Sequence, residues 1–353
     1  MNEMPQTFKL DGLALPADAA HMLDEIAEHF VEHAEVSRRD DFLLMTSDHG
    51  RVTIEKQDER LAIRLACPSE EALQVVRNSI AEHMFFFAGE DPLELTWAET
   101  GARGRAVPNL RQATVVGAED VTPHMRRVKL ATADVTPFIG GAMHVRILVP
   151  PRGRTPIWPH YGADGRLVWP DGEDKLVVRP YTIRAVDKAR GELWIDFLQH
   201  PTPGIGTPGA DFARDAETGD VIGLIGPGSG GLPEAKSILM IGDESSLPAI
   251  ARIAAEVPDG TSIRAIIEVW DKAEEQPLPS AGEIDVTWLH RSSYPADAIG
   301  TLREEATKAI ALADAETFMW VACEKEDVRA IKALLNSRKH DRHLRYVAWY
   351  WEK

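Results

Sequence analysis

The sequence predicts three successive folding units: a small α+β domain, a six-stranded antiparallel β-barrel and a doubly wound parallel α/β sheet. Three observations predict them. Residues 18–87 place two helical patterns around alternating strand patterns, residues 110–233 run through short alternating segments divided by Gly and Pro turns, and from residue 234 apolar strands alternate with helical stretches. At 353 residues the chain also exceeds what one ordinary core accommodates, so separate cores are expected.

In the first unit, Ala20, Leu23, Ile26, Ala27, Phe30 and Val31 recur at spacings of three and four, predicting a helix over 18–35 with Asp18 as its N-cap. DFLLMTS, RVTIEKQ and RLAIRLACP alternate polar with apolar residues and read as strands, with a turn at His49 and Gly50. A second helix over 69–87 starts at the cap Ser69, and Glu70 and Glu71 in its first turn suit the helix dipole. His29, His33, His49 and His83 raise a metal site. No acidic or sulfur ligand accompanies them in a recognised motif, so surface histidines are the expectation. AETGARGRAVPN, residues 98–109, has no periodic apolar pattern and reads as a linker. The expected domains are therefore 1–97, a linker at 98–109, 110–233 and 234–353.

Charge and cysteine content narrow the function. The formal net charge is −17, with 20 Asp and Glu against 8 Lys and Arg in residues 1–97 and 36 against 31 in the rest. This argues against nucleic acid as a partner, because phosphate binding needs clustered Lys and Arg. No apolar run reaches a membrane span and the opening MNEMPQTFKLDG lacks a signal-peptide pattern, so the expected location is cytoplasmic, with no membrane association. Cys67 and Cys323 fall in different units, which excludes a disulfide framework and a thiolate metal cage and agrees with a reducing compartment.

In the second unit, LRQATVVGAEDVTPHMRRVKLAT gives two strand candidates around VTPHM, and Met143, Val145, Ile147 and Val149 share one face of the next. A Gly- and Pro-rich excursion, RTPIWPHYGADGRLVWPDGEDK, precedes the strands RPYTIRAV and ELWIDFLQH. PTPGIGTPGADFARDAETGD is then a Gly-rich loop entering a short helix, whose free N–H groups suit a phosphate. In the third unit SILMIGDES, RAIIEVW, VTWLHR and TFMWVAC are strands, with helices at 246–256, 298–313 and 326–336. Ligands of such sheets bind at the carboxyl ends of the strands, which places Gly242, Asp243, Glu244, Ser245 and Ser246 at a nucleotide site.

VTPHMRRVKL, HVRILVP, RPYTIR, DFLQH, IGDESSLPAI and WLHR stand in the order found in siderophore-interacting proteins, and over about 240 residues the chain resembles that family. The family belongs to the ferredoxin reductase superfamily. The first unit resembles a domain of unknown function sometimes fused to such proteins, through its helix–strands–helix order and its ending ELTW. The resemblance implies FAD in the barrel, NADPH or NADH as electron donor at the α/β sheet, with ferredoxin as an alternative donor, and a ferric siderophore or ferric chelate as substrate. It gives Arg179, Tyr181 and Thr182, with neighbouring Pro180, Ile183 and Arg184, to the flavin and its pyrophosphate. Asp196, Leu198 and His200 would follow on the next strand, and Pro208, Gly209, Ala210 and Phe212 at the short helix. The family usually has Ser and Trp where Ala210 and Phe212 stand, which removes a hydroxyl contact and a larger stacking surface. Asp271 and Lys272 point in opposite directions on NADH against NADPH.

The tail RYVAWYWEK resembles the family's terminal aromatic segment that returns to the barrel over the flavin. Alternation puts Trp349 and Trp351 on one face and Tyr350 on the other, and Tyr350 and Trp351 are taken as cofactor contacts. No protein metal ligand and no acid, base or nucleophile is required. Ferric siderophores are often anionic, so Arg152, Arg154 and Lys175, with Arg291 opposite, are the substrate-binding candidates. The expected activity is FAD-dependent reduction of ferric siderophores for iron release. The alternatives are a flavin or quinone reductase on the same scaffold, or a redox-inactive siderophore-binding protein. Recruiting a partner, whose identity the sequence does not give, and covering the site are both open for the acidic N-terminal domain.

Overall fold

The computed structural model describes residues 7–30, 34–98, 107–199, 207–295 and 301–352. Its chain forms two compact units, residues 1–110 with 157–175, and residues 111–156 with 176–353. Most of the expected 98–109 linker and His33 lie outside the described residues.

In the first unit, strands β1 (Phe8–Pro16), β2 (Glu35–Arg39), β3 (Phe42–Ser47), β4 (Gly50–Gln57), β5 (Arg60–Cys67) and β6 (Leu93–Trp97) form an antiparallel sheet ordered β2-β3-β4-β5-β1-β6. Helices α1 (Ala19–Phe30) and α2 (Glu70–Ala88) supply the rest of its core. Alternation decides which face is buried: Leu43 and Met45, Val52 and Ile54, and Leu61, Ile63 and Leu65 point inward against Leu23, Ile26 and Met84. Asp18 caps α1 through the N–H groups of Ala20 and His21, and the Ser69 hydroxyl accepts from Ala72 N–H. A short hairpin of β10 (His160–Tyr161) and β11 (Leu167–Val168), from the Gly- and Pro-rich excursion, belongs to this unit.

The second unit contains the barrel. Strands β7 (Leu110–Thr122), β8 (Met125–Thr132), β9 (His144–Val149), β12 (Val177–Asp187), β13 (Glu192–Leu198) and β14 (Val221–Ile225) close in the order β12-β13-β8-β7-β14-β9. The sixth strand, VIGLI, follows helix α3 (Pro208–Asp215) in a stretch where sequence periodicity assigned no element. β15 (Ser237–Asp243), β16 (Ser262–Val269), β17 (Glu283–His290), β18 (Phe318–Glu324) and β19 (Arg345–Trp351) form a parallel sheet ordered β17-β16-β15-β18-β19, with α4 (Leu247–Glu256), α5 (Thr301–Leu312) and α6 (Lys325–Ser337).

In β19, Trp349 and Trp351 are exposed and Tyr350 between them is half-buried. Pairing with β18 slips once, between Cys323↔Trp349 and Glu324↔Trp351.

Barrel and sheet are joined through Arg252 of α4, whose side chain is 1% exposed. It donates to the carbonyls of Ile183 at 3.0 Å and Phe138 at 2.8 Å in the barrel, while its Nε meets Glu256 at 2.9 Å. Arg252→Met keeps the volume but strands these acceptors and should cost about 3 kcal/mol. A lowered urea midpoint checks this; an unchanged midpoint would show that water replaces the guanidinium freely.

Candidate functional site

A cleft of about 520 Å³ opens between the barrel and the α/β sheet. One wall is β12, where Arg179, Pro180, Tyr181 and Thr182 line the space, with Asp196 and Leu198 of β13 beside them. The facing wall carries Glu244, Ser245 and Pro248 from the β15–α4 turn and Tyr346, Trp349 and Tyr350 from β19. Four consecutive β12 residues reach the cleft because Val177–Thr182 pair with β9 alone; pairing with β13 begins at Ile183.

His144, which no site assignment from sequence included, organises this cleft. It stands opposite Thr182 in the β9–β12 register, its Nδ1 lies 3.2 Å from Thr182 Oγ1, and its Nε2 lies 3.0 Å from Tyr350 Oη and 3.4 Å from Tyr346 Oη. Burial, and after it the Arg252 charge, presses the His144 pKa down to about 4. A neutral imidazole has one N–H, so it donates on one side and accepts on the other. Gly230, at φ +70°, leaves room for it, since a Cβ there would lie 2.4 Å from Nε2. The signal in the sequence was the head of HVRILVP, but only strand register places that histidine against the threonine.

The other expected residues divide by role. Ile183 is fully buried in the barrel, and Asp196 accepts two bonds from Arg127, at 2.6 and 2.7 Å. Half-buried Arg184 has a buried Nε without a partner among the described residues, and desolvation lowers its pKa. Tyr181, whose pKa burial pushes up to about 12, packs on Phe197 at 4.3 Å. Its hydroxyl lies so close to Gly209 that a Cβ there would approach within 2.1 Å. Ala210 is buried, and Phe212 meets Phe197 edge-on at 5.8 Å, so both pack the α3–barrel junction. Gly242 leaves room for Ser246 Oγ, which donates to Asp243 O and accepts from Asp243 N–H, locking the turn without reaching a cleft. His200 lies outside the described residues.

A second cleft, of about 430 Å³, lies at the carboxyl ends of the parallel strands and is lined by Asp243, Glu244, Ser245, Glu268, Trp270, Arg291, Glu324, Asp327 and Trp351. Arg291 is held by Glu244 through both amino groups and by Glu268 at 3.2 Å, and Trp351 Nε1 donates to Asp243 at 2.8 Å. A third, of about 400 Å³ on the barrel flank, contains Arg152 and Arg154 with Pro208 and Phe212. The four cations expected around one substrate pocket are thus spread over the flank cleft, the sheet cleft and, for Lys175, the other compact unit. Strand pairing separates loops that the sequence leaves unplaced.

The first cleft fits a flavin in size and in donor chemistry. Its volume suits a cofactor site, Arg179 supplies a guanidinium for phosphate, Thr182 a hydroxyl, and Tyr181, Tyr350 and Trp349 aromatic surface. Among the described residues, no group of three or more metal-ligating side chains comes together.

Comparison with known proteins gives three family matches: siderophore-interacting protein over 235–353, siderophore-interacting FAD-binding domain over 114–231, and an uncharacterised bacterial family over 15–98. The ferric vibriobactin reductase ViuB of Vibrio cholerae is 29% identical over 238 residues, covering 66% of this chain and 86% of that protein. The structure of a siderophore utilization protein from T. fusca is 30% identical with TM-score 0.55, covering 69% and 93% of the two chains. The siderophore-interacting protein SipS from Aeromonas hydrophila is 27% identical with TM-score 0.56, covering 69% and 92%.

Half-buried His144 at the first cleft and buried Asp243 at the second have opposed pH responses. The His144 pKa falls from 6.5 to about 4 on folding, so its contribution is complete above pH 6.5 and is lost as pH drops toward 4. Burial raises Asp243 from 3.8 to about 6, so it contributes the reverse, gaining stability as pH falls from 6 to 3.8. His144→Asn, which does not titrate, should therefore gain stability relative to the parent chain as pH is lowered from 6.5 to about 4. Parallel stability–pH curves would contradict a histidine held neutral in the fold.

Proposed function

This chain belongs to the siderophore-interacting protein family, and on that premise we propose that the 520 Å³ cleft is the flavin site of a ferric-siderophore reductase. The observation that carries this reading is the convergence of Arg179, Tyr181 and Thr182 with Tyr350 and Trp349 around one cleft, with His144 bonded to both Thr182 and Tyr350. FAD held there would supply the chemistry of taking up two electrons together and giving them up singly to ferric iron. The overall change is one NAD(P)H and two Fe(III) to one NAD(P)⁺, one H⁺ and two Fe(II). Fe(II) is softer and less charged, so the siderophore's hard oxygen donors hold it less tightly.

The chain's residues bind and orient. Arg179 meets phosphate, Thr182 offers a hydroxyl whose direction His144 sets, and Tyr350 closes the α/β side of the ring site. Burial keeps the Tyr350 phenol protonated, so it acts as a hydrogen-bonding wall. The donor nucleotide is assigned to the second cleft, at the carboxyl ends of the strands. Five carboxylates line that cleft and its arginine is already engaged. The added charge of a 2′-phosphate is disfavoured there, so NADH is the expected donor.

Arg152 and Arg154 are reassigned from chelate to cofactor. Their flank cleft includes Pro208, next to the Gly209 that touches Tyr181 of the first cleft, so the first turn of α3 links the two clefts. On this reading the two arginines would hold the phosphate end of FAD. Working location is proposed as the cytoplasm, in keeping with the two free, buried cysteines.

The arginine double variant Arg152→Glu/Arg154→Glu should raise the FAD dissociation constant about tenfold or more while leaving the KM for a ferric chelate near its parent value. The opposite split would return both residues to the chelate. Arg179→Ala should weaken FAD at least as much, measured by flavin fluorescence on reconstitution.

A further inference from the structure

The connection between β9 and β12 runs from residue 150 to residue 176, whereas paired antiparallel strands are ordinarily joined by about two to five residues. Its middle, residues 157–175, lies within the FAD-binding family match yet belongs to the compact unit of the N-terminal domain. The seat is built from side chains of α2 and β6. Trp97 Nε1 donates to the Asp164 carbonyl at 2.7 Å, Arg77 Nη2 donates to the Ala163 carbonyl at 3.2 Å, and the Arg166 guanidinium lies 3.5 Å over the Phe85 ring. Gly165, at φ +91°, lets the hairpin approach: a Cβ there would stand 2.9 Å from both Arg77 Nε and Trp97 Nε1.

Arg77 and Trp97 are 2% and 6% exposed. Buried donors aimed at another segment's carbonyls would lose their partners if that segment left. This domain has therefore committed core polar groups to holding a piece of the barrel's sequence.

The stems of the same excursion lead to the cleft. On the carboxyl side, Val177–Thr182 pair only with β9 and include Pro180, which brings no N–H to the ladder. On one side this stretch has no strand partner, and four of its residues line the cleft.

We propose that the N-terminal domain serves as the seat for the chain's own hairpin, and that by fixing residues 157–175 it sets the position of the first residues of β12 and hence the affinity for FAD. This rests on the flavin reading of the cleft. It assigns a role to a domain whose family match carries none.

The test uses the full-length chain with Gly165→Val, which replaces no residue of the N-terminal core and crowds Arg77 and Trp97 from the hairpin side, and separately Trp97→Phe, which keeps an aromatic ring and removes the donor. Hydrogen exchange is followed in 157–175 and 177–182, together with the FAD dissociation constant. The expected result is faster exchange in both segments and FAD binding weakened about tenfold. Faster exchange in the hairpin with 177–182 and FAD affinity unchanged would overturn the proposal, as would unaltered hairpin protection in both variants. If the parent chain binds no FAD, the flavin reading has failed instead, and exchange at 177–182 alone decides whether the seat steadies β12.

Discussion

The arrangement of the second unit depends on the buried guanidinium of Arg252. Isolated in an apolar interior such a charge would be prohibitively costly, so its partners have to be in place whenever the unit is folded. Two of them are barrel carbonyls, and one, Ile183, directly follows the last cleft-lining residue of β12. The arginine thereby fixes α4, and the β15–α4 turn before it, against the strand that forms the opposite wall. The same charge helps to keep His144 neutral. One residue thus holds the two walls of the cleft together and adds, after burial, to what keeps the imidazole within it neutral.

Much of this organisation was legible in the sequence. Helices α1 and α2 were set by apolar spacing and by the caps Asp18 and Ser69, and the parallel sheet by strand–helix alternation. β14 escaped because five residues, VIGLI, between turn-rich stretches carry too short a pattern. In the tail, Trp349 and Tyr350 line the first cleft and Trp351 the second, a division that alternation along a strand does not disclose.

For the site, motif order reached Arg179–Thr182 and Tyr350 but not His144, whose role comes from standing opposite Thr182 in the register. Charged residues were the least predictable. Arg291 looks like an available cation in WLHR, but it is held by Glu244 and Glu268, which arrive from the ends of neighbouring strands. The excursion 157–175 reads as a loop of the barrel, and its association with Trp97 and Arg77 rests on backbone carbonyls that residue identity does not disclose.

The central claim is that bound flavin passes electrons from a nicotinamide nucleotide to chelated ferric iron. The most direct measurement is anaerobic absorbance of the purified, FAD-reconstituted protein, first with NADH and then with a ferric siderophore and a ferrous indicator. The account predicts flavin bands that bleach with NADH and recover as about two ferrous ions appear per flavin. Failure to retain flavin, or reduced flavin that free quinone reoxidises readily while the ferric siderophore leaves it bleached, would contradict it.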